Sequence, residues 1–466
     1  MKKVCVIGGG ISGLCVAYRL KKKGVDVLLV ERNAACGGNI ETERDGDFLI
    51  EWGPNSVLRS PHLLALVKEI GLLDEIANAN ATSKKRYVVR DGKLCALPLS
   101  VAGLIRTKFF SGATKFKIFR EPFVASQSKE NESVSDFFRR RFGQEIVDYA
   151  LDPFVSGIYA GNPEKLSLKY AFPRLFELES RHGGVLRGFW KTRNENKIAP
   201  EFKNISRTLS FKNGMRTIIE KLVELLPEEI KTGTEASEII KTENGKWKIK
   251  TNDEEINAQS FDAVIVAAPS FVAAKLIENL DAELAGKLNK IYHPPLAVVV
   301  SAFRKADVKS DLDGFGFLVP KVENRQILGS LWSSVIFENR APGDFYLMTT
   351  FIGGARDAEL FNESDENLFR LVFDELGALL GLKNEPVFQK IRRWEKAIPQ
   401  YNLGYEKTVE AIEKFKRENK GIFFCSNFYR GVSVGDCVKN SLTAGDEVFE
   451  FLENGLETPI EAKTQA

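Results

Sequence analysis

Histidine is nearly absent: His62, His182 and His293 are the whole complement of 466 residues. That scarcity disfavours metal sites and histidine-based acid–base catalysis, so no metal ligand is expected. Cysteine is sparse too. Cys5, Cys15, Cys36, Cys95, Cys425 and Cys437 show no paired, metal-like spacing and read as reduced thiols in a cytoplasmic setting. No apolar run reaches the roughly eighteen residues needed to span a membrane. The formal charge of +3 is too small to imply nucleic acid as a partner, and none is expected. No internal repeat or low-complexity segment occurs.

What is present suffices for two or three domain cores, with 44% of residues hydrophobic. Met1-Lys2-Lys3 and the apolar run to Ala17 have the lengths of a secretory leader. Gly8, Gly9, Gly10 and Gly13 would weaken a leader helix, however, and the pattern continues directly into a strand–helix–strand unit. The segment is therefore read as part of the fold.

Val4-Cys5-Val6-Ile7 is a continuous apolar strand of the kind buried in a parallel sheet. It runs into Gly8-Gly9-Gly10-Ile11-Ser12-Gly13, a Gly-x-Gly-x-x-Gly pattern, after which Leu14, Ala17 and Leu20 recur at helical spacing. Val25 to Val30 is the next strand, ended by Glu31. Gly8 permits the tight turn, Gly10 lets backbone approach a pyrophosphate, and Gly13 lets helix and strand pack closely. The helix N-terminus offers free amides, and Glu31 can hold ribose hydroxyls. With strand, helix and acid all in place, this is a dinucleotide-binding fingerprint.

Near the other end, Gly431-Val432-Ser433-Val434-Gly435 matches a hydrolase nucleophile elbow, between a strand at Gly421 to Cys425 and a helix at Asp436 to Phe449. In the hydrolase order a base histidine follows the serine, and none follows His293. Ser433 is read as a turn residue. A strand–turn–helix at this end instead fits a flavoprotein, whose turn amides and helix dipole meet the flavin's pyrimidine edge.

Immediately after Glu31 come Arg32 and Cys36-Gly37-Gly38, then Gly53-Pro54-Asn55-Ser56. Here the chain resembles the flavin-containing amine oxidase superfamily, in which a Gly-Gly pair and a Gly-Pro turn approach FAD. Further stretches resemble the protoporphyrinogen oxidase family almost end to end: Gly157 to Pro163, Ala171-Phe172-Pro173, Gly314 to Pro320, Ala397-Ile398-Pro399-Gln400-Tyr401 and Gly431 to Cys437. The Gly157 to Pro163 segment is the most particular to that family. Two positions depart from it: Ser426 stands where glycine is usual, and Asn39 where a larger or basic residue is often found.

The resemblance implies an α/β fold, α+β overall, in a discontinuous layout. Residues 1–56, 205–268 and 405–458 would form a Rossmann-like FAD-binding domain. Residues 57–91 and 269–404 would form a mixed-sheet substrate domain. A helical, membrane-associating insert would occupy 92–204, and 459–466 a flexible tail. In the insert, Leu104, Ile105, Phe109, Phe110, Phe116, Ile118, Phe119 and Phe123 alternate with Arg106, Lys108, Lys115, Lys117 and Arg120. Aromatics mixed with cations suit an anionic membrane boundary. The expected location is cytoplasmic, peripherally on the cytoplasmic membrane.

The implied activity is oxidation of protoporphyrinogen IX to protoporphyrin IX in haem (porphyrin) biosynthesis, with oxygen as electron acceptor. The alternative is coproporphyrinogen III oxidation by the same mechanism. More distant readings are an amine oxidase or desaturase, or a non-catalytic carrier on the same scaffold. Loss of hydride from a meso carbon to flavin N5 leaves a delocalised cation, so no catalytic protein residue is expected; the protein binds and orients. The resemblance places the substrate carboxylate on Arg86, with Lys84 or Lys85 able to share the task, and the macrocycle against Phe337, Leu318 and Gly161. Besides Gly8, Gly9, Gly10, Ile11, Ser12, Gly13 and Glu31, it assigns cofactor contacts to Arg32, Gly37, Gly38, Gly53, Pro54, Asn55 and Ser56. Ala236, Trp394, Asn427, Val432, Ser433 and Val434 complete that set. A homodimer is left open.

Overall fold

The computed structural model describes residues 2–127, 129–193 and 198–454; the expected flexible tail at 459–466 lies outside them. A five-stranded sheet forms its base, ordered Ile230–Lys231, Asp26–Val30, Lys3–Ile7, Ala263–Val266, Ile422–Phe424. All four pairings are parallel. The strands are apolar without alternation because both faces are covered. Val4, Val6 and Ile265 face the first helix, Ile11–Lys22, and the last, Val434–Asn454, while Cys5, Val264 and Val266 pack with Trp247 and Phe415.

Parallel strands put all their C-terminal ends at one edge. The loops leaving Ile7, Val30, Val266 and Phe424 therefore gather there, although they are far apart in sequence. The first and last helices lie against each other. A Cβ on Gly445 would come within 2.8 Å of Arg19 Cγ, and Asp446 pairs with Arg19 at 3.1 Å and Lys23 at 2.9 Å.

A second, mixed sheet has seven strands, ordered Phe388–Trp394, Leu296–Arg304, Phe345–Gly353, Gly329–Leu331, Gly316–Leu318, Tyr87–Arg90, Lys93–Ala96. The strand Leu296–Arg304 extends over nine residues, and all but its last are buried. The last two strands form a hairpin running through position 92, where only helix was expected to begin. Its turn is Asp91-Gly92, both residues at positive φ (53° and 70°). Asp-Gly is the sequence signal for such a turn; the four-residue strand beyond it was too short to show alternation.

Among the described residues from Val101 to Thr192 the regular elements are helices, with Val134–Phe142, Pro173–His182 and Val185–Thr192 around a small core of Phe137, Ile146 and Val185. Buried charge ties this unit together. Arg141 donates to Glu121 at 2.7 Å and to Glu179 at 2.8 Å, and all three side chains are fully enclosed. Glu121 also accepts the Val185 and Leu186 amides, at 2.8 and 3.0 Å.

Two of the aromatics assigned to a membrane boundary face inward. Phe109 and Phe110 are buried, stacked edge-on at 4.7 Å, with Phe109 also against Tyr149. They lie in the connection between two helices, where helical periodicity cannot assign a side. Phe116, Phe119, Phe123, Ile105 and Leu99 are exposed, and so are Leu186, Phe189 and Trp190 from a helix distant in sequence. Among the described residues no helix is long and apolar enough to cross a membrane.

Candidate active site

The loop after the first strand is shaped by what glycine lacks. Gly8 has φ +112°, and a Cβ there would meet the Ala267 carbonyl oxygen at 2.9 Å. A Cβ on Gly13 would lie 1.9 Å from the Gly8 carbonyl oxygen, so helix and loop touch backbone to backbone. Gly10 is different: a Cβ there would have only the Gly38 Cα, at 4.0 Å. Glycine at that position answers no contact within the chain and leaves room for a ligand to approach. The first helix has no side-chain cap and no acid in its first turn, and the Ile11, Ser12 and Gly13 amides have no backbone acceptor among the described residues. Such an end favours phosphate.

Glu31 is 7% exposed. It accepts the Gly9 amide at 2.7 Å, and the Asn33 amide and side chain at 2.9 and 2.7 Å. It therefore builds the loop. Arg32 is exposed with no acidic partner among the described residues. The Gly37 amide donates to the Gly9 carbonyl at 2.9 Å, pinning Gly37-Gly38 beside the loop. The buried Ala236 follows Gly233 and Thr234, whose amides donate to the Asn33 and Glu31 carbonyls. Gly53 is forced: a Cβ there would sit 1.8 Å from the Asn39 carbonyl oxygen. Only Asn39's backbone meets Gly53, so its side chain, exposed and unlike the family's, is not constrained there. Pro54, Asn55 and Ser56 are half-buried, and Asn55 Oδ1 is 3.5 Å from Ser333 Oγ on the second sheet's side.

At the C-terminal turn the serine is engaged with Asp436. Ser433 Oγ donates to Asp436 Oδ2 at 2.6 Å and accepts the Asp436 amide at 3.1 Å, a reciprocal cap on the last helix. The Ser433 amide also points to Asp436, at 3.3 Å. The Val432 and Val434 amides find no acceptor among the described residues. Ser426 is buried, with its Oγ 3.5 Å from Asn427 Oδ1. His293 contacts a different serine, the fully buried Ser270, at 2.9 Å, and burial pushes its imidazole down to about 4. Ser433→Ala should cost about 1 kcal/mol of helix stability, a lost cap. A fluorophosphonate probe should leave the wild-type protein unlabelled; labelling abolished by this substitution would reinstate the nucleophile.

On the substrate side, Arg86 lies with its guanidinium 3.5 Å over the Phe315 ring. Burial pushes that guanidinium down to about 10, and the nearby Arg207 charge adds to the push. No carboxylate pairs with Arg86 among the described residues; its one hydrogen bond goes to the Ser83 carbonyl at 3.4 Å. Its neighbour Lys85 is already paired with Asp313, which Tyr87 also contacts. Arg86 is thus a half-buried cation beside another cation, with no acid partner among the described residues. Backbone hydrogen bonds link Lys85 to Phe315 and Phe315 to Trp332, the residue before Ser333, which reaches Asn55. Phe315 lay unassigned within the Gly314 to Pro320 stretch; nothing in the sequence joins Arg207 to Arg86.

Phe337 is 2% exposed, with the Arg340 guanidinium 5.2 Å from its ring. Leu318 packs on the helix Asp152–Tyr159, where a Cβ on Gly157 would lie 2.4 Å from Leu318 Cδ2. Gly161 is buried beneath Gln400, whose Oε1 would be 2.3 Å from a Cβ there, and Gln400 Nε2 donates to the Tyr159 carbonyl at 2.8 Å. Trp394 Nε1 donates to the Trp52 carbonyl at 3.0 Å, beside the Gly53 turn. A separate surface cavity of about 500 Å³, beside Arg44, Lys212 and Asn213, includes none of these residues. Among the described residues no cluster of three or more His, Cys, Asp or Glu could hold a metal.

The family described as "Flavin containing amine oxidoreductase" matches residues 11–449. Protoporphyrinogen oxidase 2, chloroplastic/mitochondrial, of Arabidopsis thaliana is 34% identical, over 97% of this chain and 95% of its own. Coproporphyrinogen III oxidase of Bacillus subtilis is 28% identical, over 97% and 98%. A crystal structure from Exiguobacterium sp. 255-15, provisionally named a protoporphyrinogen oxidase, superposes with TM-score 0.79 and 25% identity, covering 96% of this chain and 98% of that one.

Proposed function

The chain belongs to the flavin-containing amine oxidoreductase family, and on that premise we propose that it uses FAD to oxidise protoporphyrinogen IX to protoporphyrin IX. The observation that carries this reading is the near-full-length similarity to porphyrinogen oxidases, with the 34% relative acting by name on protoporphyrinogen. The fit to FAD rests on the open side of Gly10, the uncapped first helix and the unspent Val432 and Val434 amides. In this reading the parallel sheet and its loops are a Rossmann-like dinucleotide domain drawn from 1–56, 205–268 and 405–458. The seven-stranded sheet is the substrate domain.

Bound FAD supplies the two-electron acceptor, used three times per macrocycle, with oxygen as final acceptor. The chain's residues bind and orient. Arg86 fixes a propionate bidentately, and its guanidinium geometry suits a carboxylate better than lysine would. Leu318, half-buried, backs the apolar macrocycle, whereas Phe337 at 2% exposure offers it no open face. His293, kept neutral and bonded to a buried serine, is not positioned as a base. Arg86, Arg207 and Lys84 have no carboxylate partner among the described residues while Lys85 is engaged, and that small supply suits a dicarboxylate. The coproporphyrinogen alternative presents four carboxylates and asks for more. Anaerobic mixing with each reduced tetrapyrrole tests this directly. Flavin absorbance should bleach fastest with protoporphyrinogen, and absence of bleaching with either substrate would refute the assignment.

Arg86→Ala should raise KM about 10- to 100-fold, since a charged hydrogen bond is worth about 1.5–3 kcal/mol, with bound FAD unchanged. Unaltered kinetics would remove Arg86 from the site.

The exposed face of the helical insert is read as a peripheral membrane surface on the cytoplasmic side. Phe123 is 81% and Trp190 70% exposed, from different helices, and Arg106, Lys108, Lys117 and Arg120 are exposed around them. Exposed apolar groups on this scale mark an interaction surface. Sedimentation with vesicles containing phosphatidylglycerol should fall sharply in Phe123→Asp/Trp190→Asp; equal sedimentation would refute the reading.

A further inference from the structure

One phenol braces the turn that closes the site. Tyr401 Oη donates to the Asn427 carbonyl at 2.7 Å and accepts the Gly431 amide at 2.9 Å, bridging both ends of the segment. The side chain is 4% exposed, and its ring stacks on Tyr405 with centroids 4.6 Å apart. Tyr405 in turn donates to the Phe428 carbonyl. Burial pushes the Tyr401 phenol well above its usual range, so it stays protonated and can donate.

The segment needs such a brace. Arg430 and Gly431 both adopt positive φ, 69° and 132°, and Arg430 is not a glycine that takes this conformation at no cost. Immediately after Gly431 come the unspent Val432 and Val434 amides and the start of the last helix. The direction of those amides is set by the turn, and the Tyr401 hydroxyl is bonded to both ends of it. Tyr401 is itself fixed from the other side. Its carbonyl accepts the Ser167 amide at 2.8 Å, and the preceding Gln400 reaches the Tyr159 carbonyl across Gly161.

We propose that Tyr401 is a positioning residue for the flavin: its hydroxyl aims the Val432 and Val434 amides and the last helix at the flavin's pyrimidine edge. This rests on the flavin reading above. Tyr401→Phe keeps the ring and its stacking and removes only the hydroxyl, so it tests the role directly. FAD added to apoprotein, followed by flavin fluorescence, should bind about tenfold more weakly than in wild type, ~1.4 kcal/mol. The rise in unfolding temperature produced by FAD should shrink accordingly. The midpoint potential of bound flavin should fall, because fewer aligned donors favour its anionic reduced form. Wild-type FAD affinity and potential in the variant, with apo and holo unfolding temperatures lowered in parallel, would reduce the hydroxyl to a structural role and overturn the proposal. A wild-type chain that takes up no FAD would overturn the flavin reading itself.

Discussion

Arg141→Met should destabilise the helical insert by about 3–5 kcal/mol, the usual consequence of removing one partner from a buried ion pair. Glu121 and Glu179 would remain enclosed as carboxylates without the guanidinium that reaches both. Arg140 still contacts Glu179, and Glu121 still accepts two amides at the start of the helix Val185–Thr192. The loss should therefore concentrate on Glu121 and on the packing of that helix. In a chain of this length a single unfolding free energy is poorly defined. Hydrogen exchange is the better measurement: faster exchange is expected across Val134–Phe142 and Val185–Thr192, with Lys3–Ile7 and Ala263–Val266 unchanged. Adding Glu121→Gln should recover part of the loss, because it removes the stranded charge and keeps an acceptor for the Val185 amide. Exchange unaffected by Arg141→Met would mean that the cluster is not what holds these helices together. The same helix carries Phe189 and Trp190, so vesicle binding should weaken in parallel.

Gly13→Ala should abolish stable FAD binding, with affinity reduced more than a hundredfold. The added Cβ would lie 1.9 Å from the Gly8 carbonyl oxygen and 3.3 Å from Ala267 Cβ. Neither neighbour is the end of a flexible side chain, so the first helix must move as a unit, taking the Ile11 and Ser12 amides out of line with any phosphate. Gly10→Ala makes an informative partner. A Cβ there meets nothing closer than 4.0 Å within the chain, so the apoprotein should fold normally and only FAD binding should suffer. Flavin content on purification and apoprotein circular dichroism separate these outcomes. A yellow, stoichiometrically loaded Gly13→Ala protein would contradict the account of the loop.

Several of these features can be read from neighbouring residues alone. Gly8 to Gly13 after an unbroken apolar strand specifies a loop of forced glycines opening a helix, because each requirement is met within a few residues. The last strand–turn–helix is legible for the same reason, whereas reading Ser433 as a turn residue drew on the scarcity of histidine along the whole chain. Even Asp91-Gly92 carried its hairpin signal.

What the sequence could not supply is side-chain partnership across distance. Phe109, Phe110 and Phe123 look alike in a string of aromatics and bases, yet two are core and one is open to solvent. Arg86 and Lys85 are adjacent, but Asp313 engages only the lysine. Tyr401 reaches Gly431 only because Ala397–Tyr401 is packed between the Gly157 to Pro163 segment and the final turn. Turn geometry and helical period are set by forces between near neighbours, so composition and order fix them. Burial, charge pairing and the long reach of one hydroxyl depend on which remote segments the fold brings together, and only the tertiary structure decides that.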